Sequence, residues 1–136
     1  MPTLKATITL ESSNLLASAL KSSKAVTEDV NGGDVIFEQN QIPAAQSEIL
    51  FDSTEAAGTF GVLYFYCESI SGNSGYGVDI EINNKSQDSA IFARLLPGDF
   101  VYLPLYAADA QGITVSAANT DPSQPATINY FFGSKD

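Results

Sequence analysis

At 136 residues the chain is about one domain long, and residues 1–136 are read as a single one. There is no histidine and one cysteine, which excludes Ser-His and Cys-His nucleophiles, Cys/His zinc sites and an internal disulfide. Six Lys and Arg against 16 Asp and Glu give a formal net charge of −10, so a phosphate backbone or an anionic membrane surface would be repelled, and neither is an expected partner.

In chain order, Ala6, Ile8 and Leu10 alternate with Thr7 and Thr9, the period of a strand with one face on a core. The stretch 11–31 is poor in large apolar side chains after Leu20 and reads as an extended arm or long loop; within it only Leu15 to Lys21 has any helical character. Val35-Ile36-Phe37 and Ile49-Leu50-Phe51 are short strand candidates. Phe60 to Cys67 is apolar on both faces, the pattern of a central strand or of one facing a partner. It is also the longest uninterrupted apolar run, too short to cross a bilayer. Val78, Ile80 and Ile82 alternate with Asp79, Glu81 and Asn83. Phe100 to Tyr106 is again apolar on both faces. Ile113, Val115 and Ala117 alternate with Thr114 and Ser116, and Ile128, Tyr130 and Phe132 alternate with Thr127, Asn129 and Phe131.

Gly-, Asn- and Pro-rich turns separate these runs at even intervals, including Asn31-Gly32-Gly33, the 71–75 stretch and Pro97-Gly98-Asp99. The expectation is an all-β protein: an antiparallel sandwich of about eight strands with Greek-key or jelly-roll-like connections, a small barrel being the alternative.

Residues able to carry chemistry are few. Asp79 and Glu81 share one face of a strand, where a solvated sheet surface is expected instead of a glycosidase pair. No calcium-loop pattern is present, although a loop site drawn from Asp52, Glu55 or Asp121 stays open. Cys67 ends the most apolar run and is expected to be a small buried hydrophobe. Arg94, the only arginine, lies between apolar neighbours and suits either an interface anchor or an intrachain ion pair. Asn84-Lys85-Ser86 fits the glycosylation sequon, read as chance because Met1 to Lys5 lacks a secretory leader and a cytoplasmic origin is expected. Tyr64, Tyr66, Tyr102 and Tyr106 lie in the two apolar runs as core or interface residues. No catalytic residue, metal or cofactor is expected.

Leu95-Leu96-Pro97-Gly98-Asp99-Phe100-Val101-Tyr102-Leu103-Pro104-Leu105 resembles the L-x-P-G-[ED]-x-x-x-x-P-L stretch of small virion proteins of tailed bacteriophages. The flanking strand-like segments, Ala6 to Leu10 before it and Ile113 to Ala117 and Thr127 to Phe132 after it, follow the same layout. The resemblance implies a non-enzymatic capsid decoration or cement protein. It would bind the major capsid protein on the capsid exterior, assemble as a homo-oligomer (dimer or trimer) and be made in the host cytoplasm. A neck or tail component is a variant of that reading. The alternative is a carbohydrate-binding β-sandwich, with Tyr64, Tyr66, Tyr76, Tyr102 or Tyr106 forming a sugar platform. A carboxylate-only hydrolase is the third reading.

Overall fold

The structure, a computed structural model, describes residues 3–12, 20–29, 35–53, 62–84, 90–106 and 112–135. Ten strands are present among them: β1 (Thr3–Ser12), β2 (Leu20–Asp29), β3 (Val35–Ile42), β4 (Ser47–Asp52), β5 (Val62–Ser71), β6 (Val78–Asn84), β7 (Ala90–Leu95), β8 (Phe100–Tyr106), β9 (Ile113–Asn119) and β10 (Ala126–Lys135). All pairings are antiparallel. One sheet has the order β3-β10-β5-β8, a second β4-β9-β6-β7, and β1-β2 form a separate hairpin. Each connection from β3 to β10 crosses to the other sheet except that between β6 and β7. The pairs β3:β10, β4:β9, β5:β8 and β6:β7 therefore wrap as one folded ribbon, the jelly-roll arrangement of an antiparallel sandwich.

The alternating segments explain the core. In β9, Ile113, Val115 and Ala117 are buried while Thr114 and Ser116 are half-buried, and in β10 Ile128, Tyr130 and Phe132 turn inward. Phe132 stacks on Phe65 of its own sheet at 4.7 Å and on Phe51 of the facing sheet at 5.0 Å. Face-to-face stacks of this kind join the two layers. The run Ile49-Leu50-Phe51 does not alternate because a bulge separates Ile49 from Phe51, so that Leu50 and Phe51 are both buried.

Two expectations are corrected. Ile8 and Leu10 of β1 are exposed, because β1 pairs with β2 outside both sheets of the sandwich. Leu20 and Lys21, expected at the end of a helical stretch, belong to strand β2; residues 15–19 lie outside the described residues. Of the stretch read as an arm or loop, 11–12 and 20–29 are strand.

The turns fix how strands change sheet. Pro97-Gly98 occupies the centre of a type II turn: Gly98 has φ +96° and Asp99 N donates to Leu96 O at 2.8 Å. That turn is pinned to β5 by bonds from Gly98 N to Ser69 O and from Ser69 N to Asp99 O. At the same end, Asn119 Nδ2 donates to the carbonyls of Ile42, Pro43 and Gln124, and Ala45 N donates to Asp121 O, tying the β3–β4 and β9–β10 turns together.

Candidate functional site

The outward face of the β3-β10-β5-β8 sheet is the most distinctive surface. The strand register places Phe37, Phe131, Tyr66 and Tyr102 directly opposite one another, one per strand, in a row across the whole sheet. Neighbouring strands are about 4.8 Å apart, so the row spans about 14 Å. Phe37 is 68% exposed, and Phe131, Tyr66 and Tyr102 are half-buried. Phe100 leans on Tyr66 with ring centres 6.1 Å apart, and Tyr64 lies parallel to Tyr102 at 6.3 Å.

The adjacent row is polar: Gln39, Asn129 and Glu68, ending at Phe100. Glu68 is held from both sides. Tyr66 OH donates to Oε2 and Asn129 Nδ2 to Oε1, each at 2.9 Å. Burial first, then the bond to Glu68 and its charge, push the Tyr66 phenol up to about 12. It therefore stays a donor at neutral pH. Residues 5–8 of β1 run alongside this face and close a groove of about 330 Å³ whose floor is the aromatic row and Phe100.

On the outer face of the β4-β9-β6-β7 sheet, Arg94 makes a two-pronged pair with Asp79: Nε to Oδ1 at 2.6 Å and an NH2 nitrogen to Oδ2 at 2.8 Å. Asp79 is buried and the guanidinium lies over it. Gly77 makes room for the arginine stem, since a Cβ there would meet Arg94 Cγ at 2.5 Å. Of the two uses proposed for Arg94, the intrachain pair is thus present. Glu81 shares this face with Asp79, opposite Ile91.

The remaining candidates separate. Tyr64 is buried although it points away from the core, so its ring is not available as a platform. Tyr106 pairs with Val62 at the end of β8, and its side chain lies outside the described residues. Tyr76 is exposed in the β5–β6 loop, on another sequence segment from the aromatic row. Asp52 faces Thr114 at one end of β9 while Asp121 follows Asn119 at the other, so these two do not form a loop calcium site; Glu55 lies outside the described residues. Among the described residues no group of three or more acidic or Cys side chains is gathered for a metal. Asp121 Oδ1 accepts from Ser123 N and Oγ and from Gln124 N, and these bonds, the Ser123 backbone first, hold its carboxyl below the usual range despite burial. That is the opposite of what a general acid requires. Cys67 is buried, and loss of solvent pushes its thiol up to about 12, so it is no nucleophile.

Phe37, Phe131, Phe100, Glu68 and Asn129 were not singled out by the sequence. Thr127, Asn129 and Phe131 do alternate on the outward side of β10, but what they meet depends on a register with strands some 60 to 90 residues away.

No protein-family model matches this chain, and no curated protein sequence does. Among solved structures it is similar to the Yersinia pseudotuberculosis-derived mitogen (YPM), at 10% sequence identity and a TM-score of 0.44, over 76% of this chain and 86% of that one. At that identity and score the likeness has no bearing on function.

Proposed function

We propose that this protein is a non-enzymatic virion structural protein, a capsid decoration or cement protein that binds and stabilises the major capsid protein lattice. The observation that carries this reading is the pair of open edges of the β4-β9-β6-β7 sheet. Both edge strands present large apolar side chains to solvent: Ile49 on β4 is 66% exposed, and Ile91 and Phe92 on β7 are 60% and 52% exposed. Among the described residues no strand pairs with the outer side of either edge. A monomer ordinarily blunts such edges with charge or proline. Here a bulge opposite Ile80 and Glu81 leaves Phe92 unpaired, and successive side chains Ile91 and Phe92 both face out.

Two apolar edges on opposite sides of one small sandwich suit a protein with neighbours on both sides, as in a lattice or a ring of like subunits. Each such side chain buried against a neighbour contributes about 1.5–3 kcal/mol, and repetition over many sites multiplies the gain in retention. The Pro-Gly-Asp layout, which resembles that of phage virion proteins, supports the same reading.

The test is copy number. Particles purified from the source are digested and this chain is quantified against the major shell protein by mass spectrometry. A ratio equal to the shell subunit, or a simple fraction of it, supports a decoration protein. A few copies per particle reassign it to the neck or tail, and absence from particles overturns the reading.

A further inference from the structure

We infer that the groove between β1 and the aromatic face of the β3-β10-β5-β8 sheet is a binding site for a neutral pyranose glycan. The inference uses the sheet opposite the one that carries the virion reading, and the two stand or fall separately.

The first argument is the order of the two rows. A sugar ring has an apolar face of C–H groups and a rim of hydroxyls. Phe37, Phe131, Tyr66 and Tyr102 form a continuous aromatic floor, and the parallel row Gln39–Asn129–Glu68 offers hydrogen-bonding groups one pleat away. Few polar groups beside a broad apolar floor is the usual make-up of a small-ligand site.

The second argument is Glu68. Its two oxygens are each anchored by one donor, Tyr66 OH and Asn129 Nδ2, so the carboxylate is already oriented, with acceptor capacity left on both oxygens. Two neighbouring sugar hydroxyls supply two donors to such a carboxylate. An acyl chain would leave that remaining acceptor capacity unused, and a proline-rich peptide lacks the N–H groups to meet it.

The third argument is charge. Lys5 lines the groove, but Glu68 lies in the adjacent row of the same outer face and the chain carries a net charge of −10, so an anionic glycan would be repelled.

The experiment is affinity electrophoresis of the intact protein in native gels containing soluble β-glucan, galactomannan, xyloglucan or starch, with polygalacturonate as the anionic comparison. At least one neutral polysaccharide is expected to retard the protein, and polygalacturonate is not. Phe37→Ala, at an exposed position, and Glu68→Gln should each weaken that retardation at least fivefold, while Phe92→Ala on the other sheet leaves it unchanged. Circular dichroism checks that each variant is folded. The inference is overturned if no neutral polysaccharide retards the protein, or if retardation is indifferent to both groove substitutions. It is also overturned if the wild type sediments as an oligomer that Phe37→Ala splits, because the face is then a subunit contact.

Discussion

Phe132 and Phe37 lie on opposite faces of the same sheet, and comparing them tests which face is the core. Phe132 is 1% exposed and packed between Phe65 and Phe51, while Phe37, on the neighbouring strand, is largely in solvent. Truncating a buried phenylalanine to alanine costs about 3–5 kcal/mol, from lost transfer energy and the cavity left behind. Domains of this size have about 5–15 kcal/mol in total. With a urea dependence of about 2 kcal/mol per molar, Phe132→Ala should lower the unfolding midpoint by about 1.5–2.5 M. Phe37→Ala should move it by no more than about 0.25 M, the range of an exposed substitution of about 0.5 kcal/mol. Far-UV circular dichroism during urea titration reads both. A double-mutant cycle of Phe132→Leu with Phe51→Leu adds a direct test of sheet-to-sheet packing, with an expected coupling of about 0.5–1.5 kcal/mol. Equal shifts for the two alanine variants, or a larger one for Phe37→Ala, would refute the assignment of core and outer face.

Other outcomes follow from single observations. Gly98→Ala places a Cβ in open space but at φ +96°, so it should cost about 1–2 kcal/mol through backbone strain alone, read as a urea-midpoint shift with no change in the native spectrum. Cys67, buried with its thiol pushed up to about 12, should resist a thiol reagent at pH 8 in the native protein and react at once in 6 M guanidinium; rapid native labelling would contradict its burial. Tyr66 keeps its proton in the folded state up to about pH 12, whereas an unfolded tyrosine releases it near 10. The unfolded state thus binds fewer protons across that window, and this contribution to stability, complete below about pH 10, is lost as pH rises toward 12. The melting temperature should fall over that range, less so in Tyr66→Phe.

Much of the sandwich was legible because one buried face per strand writes a period of two. Ile113-Val115-Ala117 and Ile128-Tyr130-Phe132 gave both their strands and their inward faces. Where the rule broke, a physical cause is visible. β2 has no alternation to read, since among the described residues it pairs with β1 alone and lies outside the sandwich. Leu50 and Phe92 are bulge residues, which suspend alternation on an edge strand. The candidate site was half legible. Tyr66 and Tyr102 stood out as aromatic, but their alignment with Phe37 and Phe131 is a matter of register between distant strands. So is the meeting of Arg94 with Asp79, 15 residues apart. Composition names the participants, and only pairing tells which of them share a row.

The two outer faces differ in a way stability does not require. The core already contains Phe51, Phe65, Tyr130 and Phe132, so further aromatics on the outside add little to it, and an exposed apolar patch carries a risk of aggregation. The β4-β9-β6-β7 face carries small and polar residues along its central strand β9, Thr114, Ser116 and Ala118, closes its buried Asp79 with Arg94, and keeps its large apolar side chains, Ile49 and Ile91, to the two edges. The opposite face, built on the same pleat, could have used the same residues. It instead sets four aromatic rings in line and fixes a carboxylate beside them from two directions. A net charge of −10 offsets the cost to solubility. That combination is what the proposed recognition on this face requires, and it is separate from the apolar edges of the other sheet on which the proposed assembly rests.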